Sequence, residues 1–249
     1  MKKNLNSIIL TALLAITSNT FAAEEEKPKE DKSPWTSSAE LGFIRTTGNT
    51  VSQTTIGKFD TVYEIEKWRH TGHAEAFGQQ ADDDTGKNDV TAERYQLSGK
   101  SDYKFTERDY VFGLIDLNKD RFSGFKYDHT VALGYGYKAI KQDGMELDLE
   151  IGPGVSLFKK DGDNAEQEAL LRLSAKYWWA ITENSKFTQD VNTEIGESVT
   201  TTESITGLQA NITKILALKF TYTVKNKSNV PAGSKKTDTQ AGMTLVYNF

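Results

Sequence analysis

The feature that most constrains the fold is an alternation of apolar and polar residues that lasts longer than an ordinary strand. Along residues 167–181 one face is apolar and the other polar or charged: Ala169, Leu171, Leu173, Ala175, Tyr177 and Trp179 against Glu168, Arg172, Ser174 and Lys176. A period of two indicates a strand. Soluble strands usually run about five or six residues, whereas a tilted membrane strand needs about 9–11. The length therefore favours a strand that crosses a membrane.

The same alternation recurs about twelve times after Trp35, at residues 35–47, 51–65, 69–80, 93–105, 109–118, 127–140, 145–158, 167–181, 185–196, 204–212, 217–225 and 237–249. Short breaks alternate with generally longer, charged ones, as in barrels with short periplasmic turns and longer outer loops. The sequence predicts an all-β fold, a transmembrane antiparallel β-barrel of about twelve strands, with ten to fourteen left open. The range 204–212 is the least regular, because Ile205, Leu208 and Ile212 do not share one parity.

The start of the chain has the pattern of an export signal. Lys2 and Lys3 precede a short apolar stretch that ends near Ile16, and small residues lead to Ala22. This stretch is about half the ~20 residues that a spanning helix requires, so we expect residues 1–22 to be a signal peptide. Residues 23–34 are charged and nearly free of apolar side chains, which predicts a disordered periplasmic lead-in. The barrel domain is then residues 35–249, in the outer membrane of a Gram-negative cell.

The end of the chain carries a second sorting pattern. Met243, Leu245, Tyr247 and Phe249 alternate, and the chain ends on the aromatic residue. This resembles the terminal-strand signal that the barrel-assembly machinery recognises. A recognising partner could add the strand to its own sheet edge and read alternate side chains in pockets. We therefore expect these four residues to act as an assembly signal.

Charge and composition exclude several classes of function. The formal net charge of −5 becomes −7 once Lys2 and Lys3 are removed with the signal peptide. An acidic chain is a poor binder of nucleic acid, because neutralising phosphates requires an excess of Lys and Arg. The chain has no cysteine, so neither a disulfide framework nor a thiolate metal site can form. No cofactor is expected.

Two acidic segments superficially suggest a calcium loop. They are Asp82-Asp83-Asp84 with Gly86 and Asp89, and Asp161-Gly162-Asp163-Asn164. Neither has the EF-hand spacing with its distal glutamate. We interpret both as solvated loops and assign no metal ligand.

Catalysis finds little support in the sequence. A serine-hydrolase site needs a nucleophile, a histidine base and an orienting group. The histidines are His70, His73 and His129, and the last falls on an apolar stripe. No Gly-x-Ser-x-Gly motif occurs. We predict that the protein is not an enzyme and assign no catalytic residue.

The polar face of the predicted strands carries charges of both signs. The candidates for lumen-lining residues are Glu75, Arg94, Lys100, Asp148, Glu150, Arg172, Lys176 and Glu194, with Glu40, Glu64, Asp102 and Asp190 on the same parity. These side chains could form internal salt bridges that plug a narrow barrel, or line a small hydrophilic channel. A barrel of about twelve strands lies between filled eight-stranded barrels and open porins, so the pattern leaves both interpretations open.

Several short motifs carry a family resemblance. They are the Gly48-Asn49-Thr50 turn, Asp120-Arg121-Phe122 with Gly124, Gly134-Tyr135-Gly136 and Gly152-Pro153-Gly154. In this order they resemble the salt-induced outer membrane proteins, a domain of unknown function, from about Ala39 to Phe249. The resemblance implies an outer-membrane barrel connected with envelope stress and brings no catalytic residues. From the residues alone, the paired glycines could relieve crowding, and Pro153 implies a bulge or local defect in its ladder.

The leading function is a non-catalytic outer-membrane barrel, with a small-solute channel or an envelope-stress role as its more specific forms. The alternatives are a structural or adhesion barrel that acts through its outer loops, an outer-membrane enzyme, and a soluble periplasmic lipocalin-like binder. The expected partners are outer-membrane lipid, lipopolysaccharide and the barrel-assembly machinery. The oligomeric state is left open.

Overall fold

The computed structural model describes residues 33–46, 52–82, 88–121, 125–160, 162–230 and 234–249. The described part contains twelve strands: β1 (Trp35–Thr46), β2 (Ser52–Glu64), β3 (Trp68–Asp82), β4 (Asn88–Lys104), β5 (Asp109–Asp120), β6 (Phe125–Gln142), β7 (Met145–Lys160), β8 (Ala165–Thr182), β9 (Ser185–Gly196), β10 (Thr200–Asn211), β11 (Leu216–Lys227) and β12 (Thr237–Asn248). The predicted signal peptide, residues 23–32 of the predicted lead-in and the Gly48-Asn49-Thr50 turn lie outside the described residues. So do residues 83–87 and 161, and with them parts of both acidic segments.

Each strand pairs antiparallel with its neighbour in the chain, and β1 pairs with β12 to close the barrel. The prediction of an antiparallel barrel of about twelve strands is therefore confirmed. Closure rests on four residue pairs, which join Ser38–Leu41 to Leu245–Asn248. Because the number of strands is even, Trp35 and Asn248 lie at the same end of the barrel. We call this the terminal end, and the opposite end the distal end.

The outer surface of the barrel is apolar, the reverse of a water-soluble protein. Leu41 is 64% exposed and Leu133 is 66% exposed, although both lie in the middle of their strands. Aromatic side chains ring the terminal end in contacting pairs, such as Trp35–Tyr63 at 4.7 Å and Trp68–Tyr103 at 5.0 Å between ring centroids. A belt of this kind is typical of a barrel at the membrane interface. No helix in the described part of the chain is long and apolar enough to cross a bilayer.

Strand β10 differs from its prediction. It begins at Thr200, four residues before the expected start, and the register explains the mixed parity of its isoleucine and leucine. Ile205 pairs with Asp190 on the inward parity, whereas Leu208 pairs with Phe187 on the outward parity. The outward face of β10 therefore alternates threonine and serine with few apolar residues, a pattern that a search for apolar stripes misses.

The glycines of β6 make room for aromatic rings inside the barrel. A Cβ atom on Gly134 would lie 2.7 Å from two ring carbons of Phe112, and one on Gly136 would collide with the ring of Tyr110. The two rings of β5 therefore lie flat across the backbone of the neighbouring strand, which explains the glycine spacing in physical terms. The ladder between β6 and β7 also lacks the partners Leu133–Pro153 and Gly134–Gly152, with no shift of register. Pro153 thus produces a local gap in the ladder rather than a bulge.

Candidate functional site

The candidate site is the charged inner wall of the barrel. The structure places all eight predicted lumen-lining residues on the inward parity, and Glu75, Asp148, Glu150 and Arg172 among them are buried. Arg69, Lys138 and Lys219 join them but are absent from the prediction, although Lys138 and Lys219 lie opposite the apolar stripes of β6 and β11 and the alternation could have identified them. The inward charges form two groups, which meet on β3 and β4.

The first group, which we call the wall network, starts at Asp102 of β4, whose side chain is fully buried. Its carboxylate accepts a hydrogen bond from Nε of Arg69 at 2.7 Å and lies 3.2 Å from Nζ of Lys100. The Arg69 guanidinium also reaches Asp148 of β7, at 3.2 Å. Asp148 in turn lies 3.2 Å from Nζ of Lys138. The network therefore ties β3 and β4 to β6 and β7.

Glu150 of β7 is the second centre of the wall network. Its carboxylate is paired with Lys100, accepts a hydrogen bond from the Tyr110 hydroxyl at 3.0 Å and accepts another from Nη1 of Arg172 at 3.2 Å. Arg172 of β8 also donates to Asn192 at 2.8 Å. Four strands thus meet at one buried carboxylate. Charges withdrawn from water need this degree of pairing, since an unpaired buried ion is costly.

The rings of β5 lie beneath the cations of the wall network. The Arg69 guanidinium carbon is 5.1 Å from the centroid of Tyr110, and Nζ of Lys100 is 5.4 Å from the centroids of both Tyr110 and Phe112. Cations within about 6 Å of a ring face are attracted by its quadrupole. This wall is therefore layered, with glycine backbone outermost, then aromatic rings, then ion pairs that face the lumen.

The second group lies on β1–β4, β11 and β12. Glu75 is bridged by Lys58 at 2.7 Å and by Arg94 at 2.5 Å, and Arg94 also donates to Gln240 at 2.9 Å. Glu40 is 2% exposed and accepts hydrogen bonds from Lys219 at 2.6 Å and from Thr244 at 3.0 Å. These contacts hold most of the charge of this wall in short ion pairs along the sheet.

Two inward lysines of the terminal half stand apart. Within the described ranges, Lys176 and Lys186 have no carboxylate at ion-pair distance, although Lys176 is the direct ladder partner of Asp190. Nζ of Lys186 lies 5.1 Å from the ring centroid of Trp178. Both lysines are exposed and available to water and to solutes in the lumen, and the nearby carboxylate of Asp190 also has no ion-pair partner among the described residues.

The three histidines do not form a catalytic group. His73 faces inward and its Nδ1 lies 2.7 Å from the Asp60 carboxylate. His70 faces outward, stacks on Trp68 with 5.6 Å between centroids, and its Nδ1 lies 2.9 Å from Oγ of Ser101. His129 also faces outward and stacks on Tyr127. In the described segments no carboxylate orients His70, so its contact with serine lacks the third member of a triad.

The remaining predicted residues lie on the outer face and in the loops. Met243, Leu245 and Tyr247 point outward from β12, and Tyr247 contacts the ring of Phe249 at 4.9 Å. The structure contains no partner there, so their role as an assembly signal stays a prediction. Among the residues that the structure describes, no group of three acidic or histidine side chains could hold a metal ion.

Comparison with known proteins gives one family and several barrels. The family model described as "Protein of unknown function, DUF481" matches residues 39–249. The chain is 27% identical over 254 residues to "Uncharacterized protein YdiY" of Escherichia coli (strain K12), with 99% of this chain and 98% of that protein covered. This agrees with the resemblance seen in the short motifs.

Two solved barrels have similar structures. The NanC porin superposes with a TM-score of 0.50 at 14% identity, covering 85% of this chain and 98% of the porin. An outer-membrane channel from Pseudomonas putida F1 superposes with a TM-score of 0.51 at 11% identity, covering 90% of this chain and all of that one (100%). At these identities the similarity establishes the barrel fold.

Proposed function

The chain belongs to the DUF481 family, and from that premise and the geometry of its lumen we propose that it is a non-catalytic outer-membrane protein that conducts small hydrophilic solutes. The observation that carries this proposal is the inner wall. Most of its cations are neutralised by ion pairs, whereas within the described residues Lys176 and Lys186 have no carboxylate at ion-pair distance and face the lumen. A barrel that served only as an anchor would have no use for unpaired ammonium groups in its interior.

The lumen is narrower than that of a general porin. Arg69 of β3 pairs with Asp148 of β7, four strands away, so this contact spans a chord of the barrel. Barrels of 16–18 strands leave a wide aqueous channel, whereas about eight strands leave room for side chains only. We therefore expect a low conductance and exclusion of large solutes.

Two further features belong to this proposal. We place the protein in the outer membrane because the apolar outer face and the aromatic belt fit a bilayer, and the family resemblance supports a connection with envelope stress. Lipid, lipopolysaccharide and the assembly machinery remain its proposed partners. The outer-leaflet contacts and the assembly signal would act on the outside of the barrel, separately from solute passage.

The test is single-channel recording of the refolded protein in planar bilayers. We expect small, stable conductance steps. The variant K176Q/K186Q should lower the permeability ratio of chloride to potassium in a salt gradient, because it removes the unpaired cations. The control variant K67Q/K214Q makes the same charge change in exposed turns at the terminal end and should leave the ratio unchanged.

A silent barrel would overturn the proposal, provided that its heat-modifiable migration shows it to be folded. The function would then lie with the outer loops, as in a structural or adhesion barrel. Equal permeability ratios in the wild-type protein and K176Q/K186Q would mean that these lysines do not face the conducting path.

A further inference from the structure

The distal end contains a cavity that the channel proposal does not use. Its enclosed volume is only about 30 Å³, and it opens to solvent. It lies between the distal ends of β4–β6 on one side and β11, Val230, Lys235, Lys236 and β12 on the other. Its lining includes Phe125, Asp128, Lys225, Lys227, Lys235 and Lys236. A solute that enters from the distal side meets this cavity first.

Cations outnumber carboxylates in this lining, five to three. Arg94 is already satisfied by Glu75 at 2.5 Å. Lys225 lies 3.8 Å from Glu203, at the edge of ion-pair distance. Lys235 and Lys236 are exposed, and no carboxylate in the described residues pairs with either of them. Lys235 and Lys236 therefore add positive charge that no ion pair within the described residues offsets, although Asp120 and Asp238 also line the cavity.

One ion pair crosses the lumen at this level. Nζ of Lys227 in β11 lies 2.5 Å from the carboxylate of Asp128 in β6, five strands away on the far wall. The same ammonium sits 3.8 Å above the ring of Phe125. Asp128 thus occupies the position that an incoming anion would take on Lys227. A bound anion would exchange with Asp128 and gain Lys235 and Lys236, which lie on the same side of the cavity as Lys227.

We propose that this cavity binds small soluble anions that carry carboxylate or phosphate groups, with Lys225, Lys227, Lys235 and Lys236 as the binding cations. The inference deepens the proposed channel function by naming the solute class that collects at its distal mouth. A positively charged, low-dielectric opening raises the local concentration of anions. Lysine suits such a site because it binds phosphate or carboxylate as a mobile point charge.

The experiment is isothermal titration calorimetry of the refolded barrel in detergent, with citrate and inorganic phosphate as probes. We expect saturable binding of citrate that K235Q/K236Q weakens about five- to tenfold, the loss of two exposed charge contacts. The control K67Q/K214Q removes the same charge at the terminal end and should bind as the wild-type protein does. If the two double variants bind citrate equally, only net charge matters and the site does not exist.

A second variant gives an effect of opposite sign. Asp128→Asn removes the competing carboxylate, so we expect it to tighten citrate binding by about threefold or more. A purely structural pair would predict weaker binding or no change, and either result would contradict the exchange of Asp128 for a ligand. If this variant does not fold, the loop variant K235Q/K236Q still decides the question, because its residues lie outside the strands.

Two further measurements distinguish a soluble anion from lipopolysaccharide and the anion site from the proposed channel. Lipopolysaccharide also carries phosphates, so it is tested separately from citrate. In lipid-free detergent, binding of lipopolysaccharide but not of citrate would overturn the choice of a soluble solute. Calorimetry does not require conduction. Citrate binding to a silent barrel would reject the channel and keep the site, whereas conduction without citrate binding would reject the site and keep the channel.

Discussion

At the scale of single residues, the buried charges inside this barrel are stabilised by the groups that surround each of them. Asp102 and Glu150 are buried on the inner wall, yet each pairs with two cations, Asp102 with Arg69 and Lys100 and Glu150 with Lys100 and Arg172. The cations in turn rest on Tyr110 and Phe112, and the rings rest on glycine. Because each layer packs on the next, a substitution in the glycine layer should displace the rings and the ion pairs that pack on them.

The first prediction concerns Gly134. Replacing it with alanine places a methyl group 2.7 Å from the ring of Phe112 and still closer to the carbonyl oxygen of Ile151. Both the ring and the β7 backbone at Ile151 must move, so we expect Gly134→Ala to lower the free energy of unfolding by about 1–3 kcal/mol, as other overpacked cores do. Urea unfolding in lipid vesicles, followed by tryptophan fluorescence, measures the change.

The matched control is Gly99→Ala in β4. An added Cβ there meets no atom within 4 Å, so its unfolding midpoint should stay close to that of the wild-type protein. If both alanine variants unfold at the same urea concentration, the rings of β5 are not held by the glycines of β6.

At the scale of elements, strands β9 and β10 form the most polar part of the outer face. Thr206 donates a hydrogen bond to Oε1 of Gln189 at 2.7 Å, and Nε2 of Gln189 donates to Ser204 at 2.9 Å. These side chains have outward parity and satisfy one another across the ladder. Mutual hydrogen bonding is what permits polar groups to face lipid, where an unsatisfied group is costly.

The second prediction tests these hydrogen bonds on the outer face of β9 and β10. Thr206→Val keeps the side-chain shape but removes the donor to Gln189, so we expect a loss of about 1–2 kcal/mol in unfolding free energy. The triple variant Gln189→Leu, Ser204→Val, Thr206→Val removes all three groups and should equal or exceed the wild-type stability, because apolar side chains then face the lipid. Urea unfolding of both variants in the same vesicles compares them. A triple variant less stable than Thr206→Val would mean that these side chains of β9 and β10 do not face lipid.

The same strand shows how far the sequence could predict the fold. Long alternation located twelve strands with boundaries within about five residues, because one face of each strand must match the membrane. It failed at the start of β10, where serine and threonine replace the apolar stripe and local pattern carries no signal. It also missed Tyr110 and Phe112 as the support of the wall network, since their place depends on glycines in another strand. The ion pair Lys227–Asp128 joins strands that are five positions apart in the barrel. No pattern in the sequence indicates which strands face each other across the lumen.

At the scale of the whole molecule, the ladder that closes the barrel is its shortest. β1 and β12 share four residue pairs, whereas β7 and β8 pair without interruption from Met145–Trp179 to Lys159–Ala165. Ladder hydrogen bonds are the main interaction between neighbouring strands in lipid. The seam between the first and last strands should therefore be the first to open.

The third prediction follows from this seam. Leu41 and Leu245 are direct partners on its outward face, so Leu41→Cys with Leu245→Cys should allow a disulfide across it. We expect the oxidised form to migrate as a folded barrel at a temperature at least several degrees higher than the reduced form on a heat-modifiability gel. Equal transition temperatures for the two forms would show that opening begins elsewhere.

The short seam also bears on the order in which the chain acquires its structure. Eleven of the twelve ladders join strands that are adjacent in the chain, and such local contacts form quickly because little loop entropy is lost. The twelfth joins residues about two hundred positions apart and offers only four pairs in return. Folding thus has one late step, in which a nearly finished sheet must hold two free edges until its ends meet. A chaperone or insertase that shields those edges would act on the slowest and most aggregation-prone intermediate.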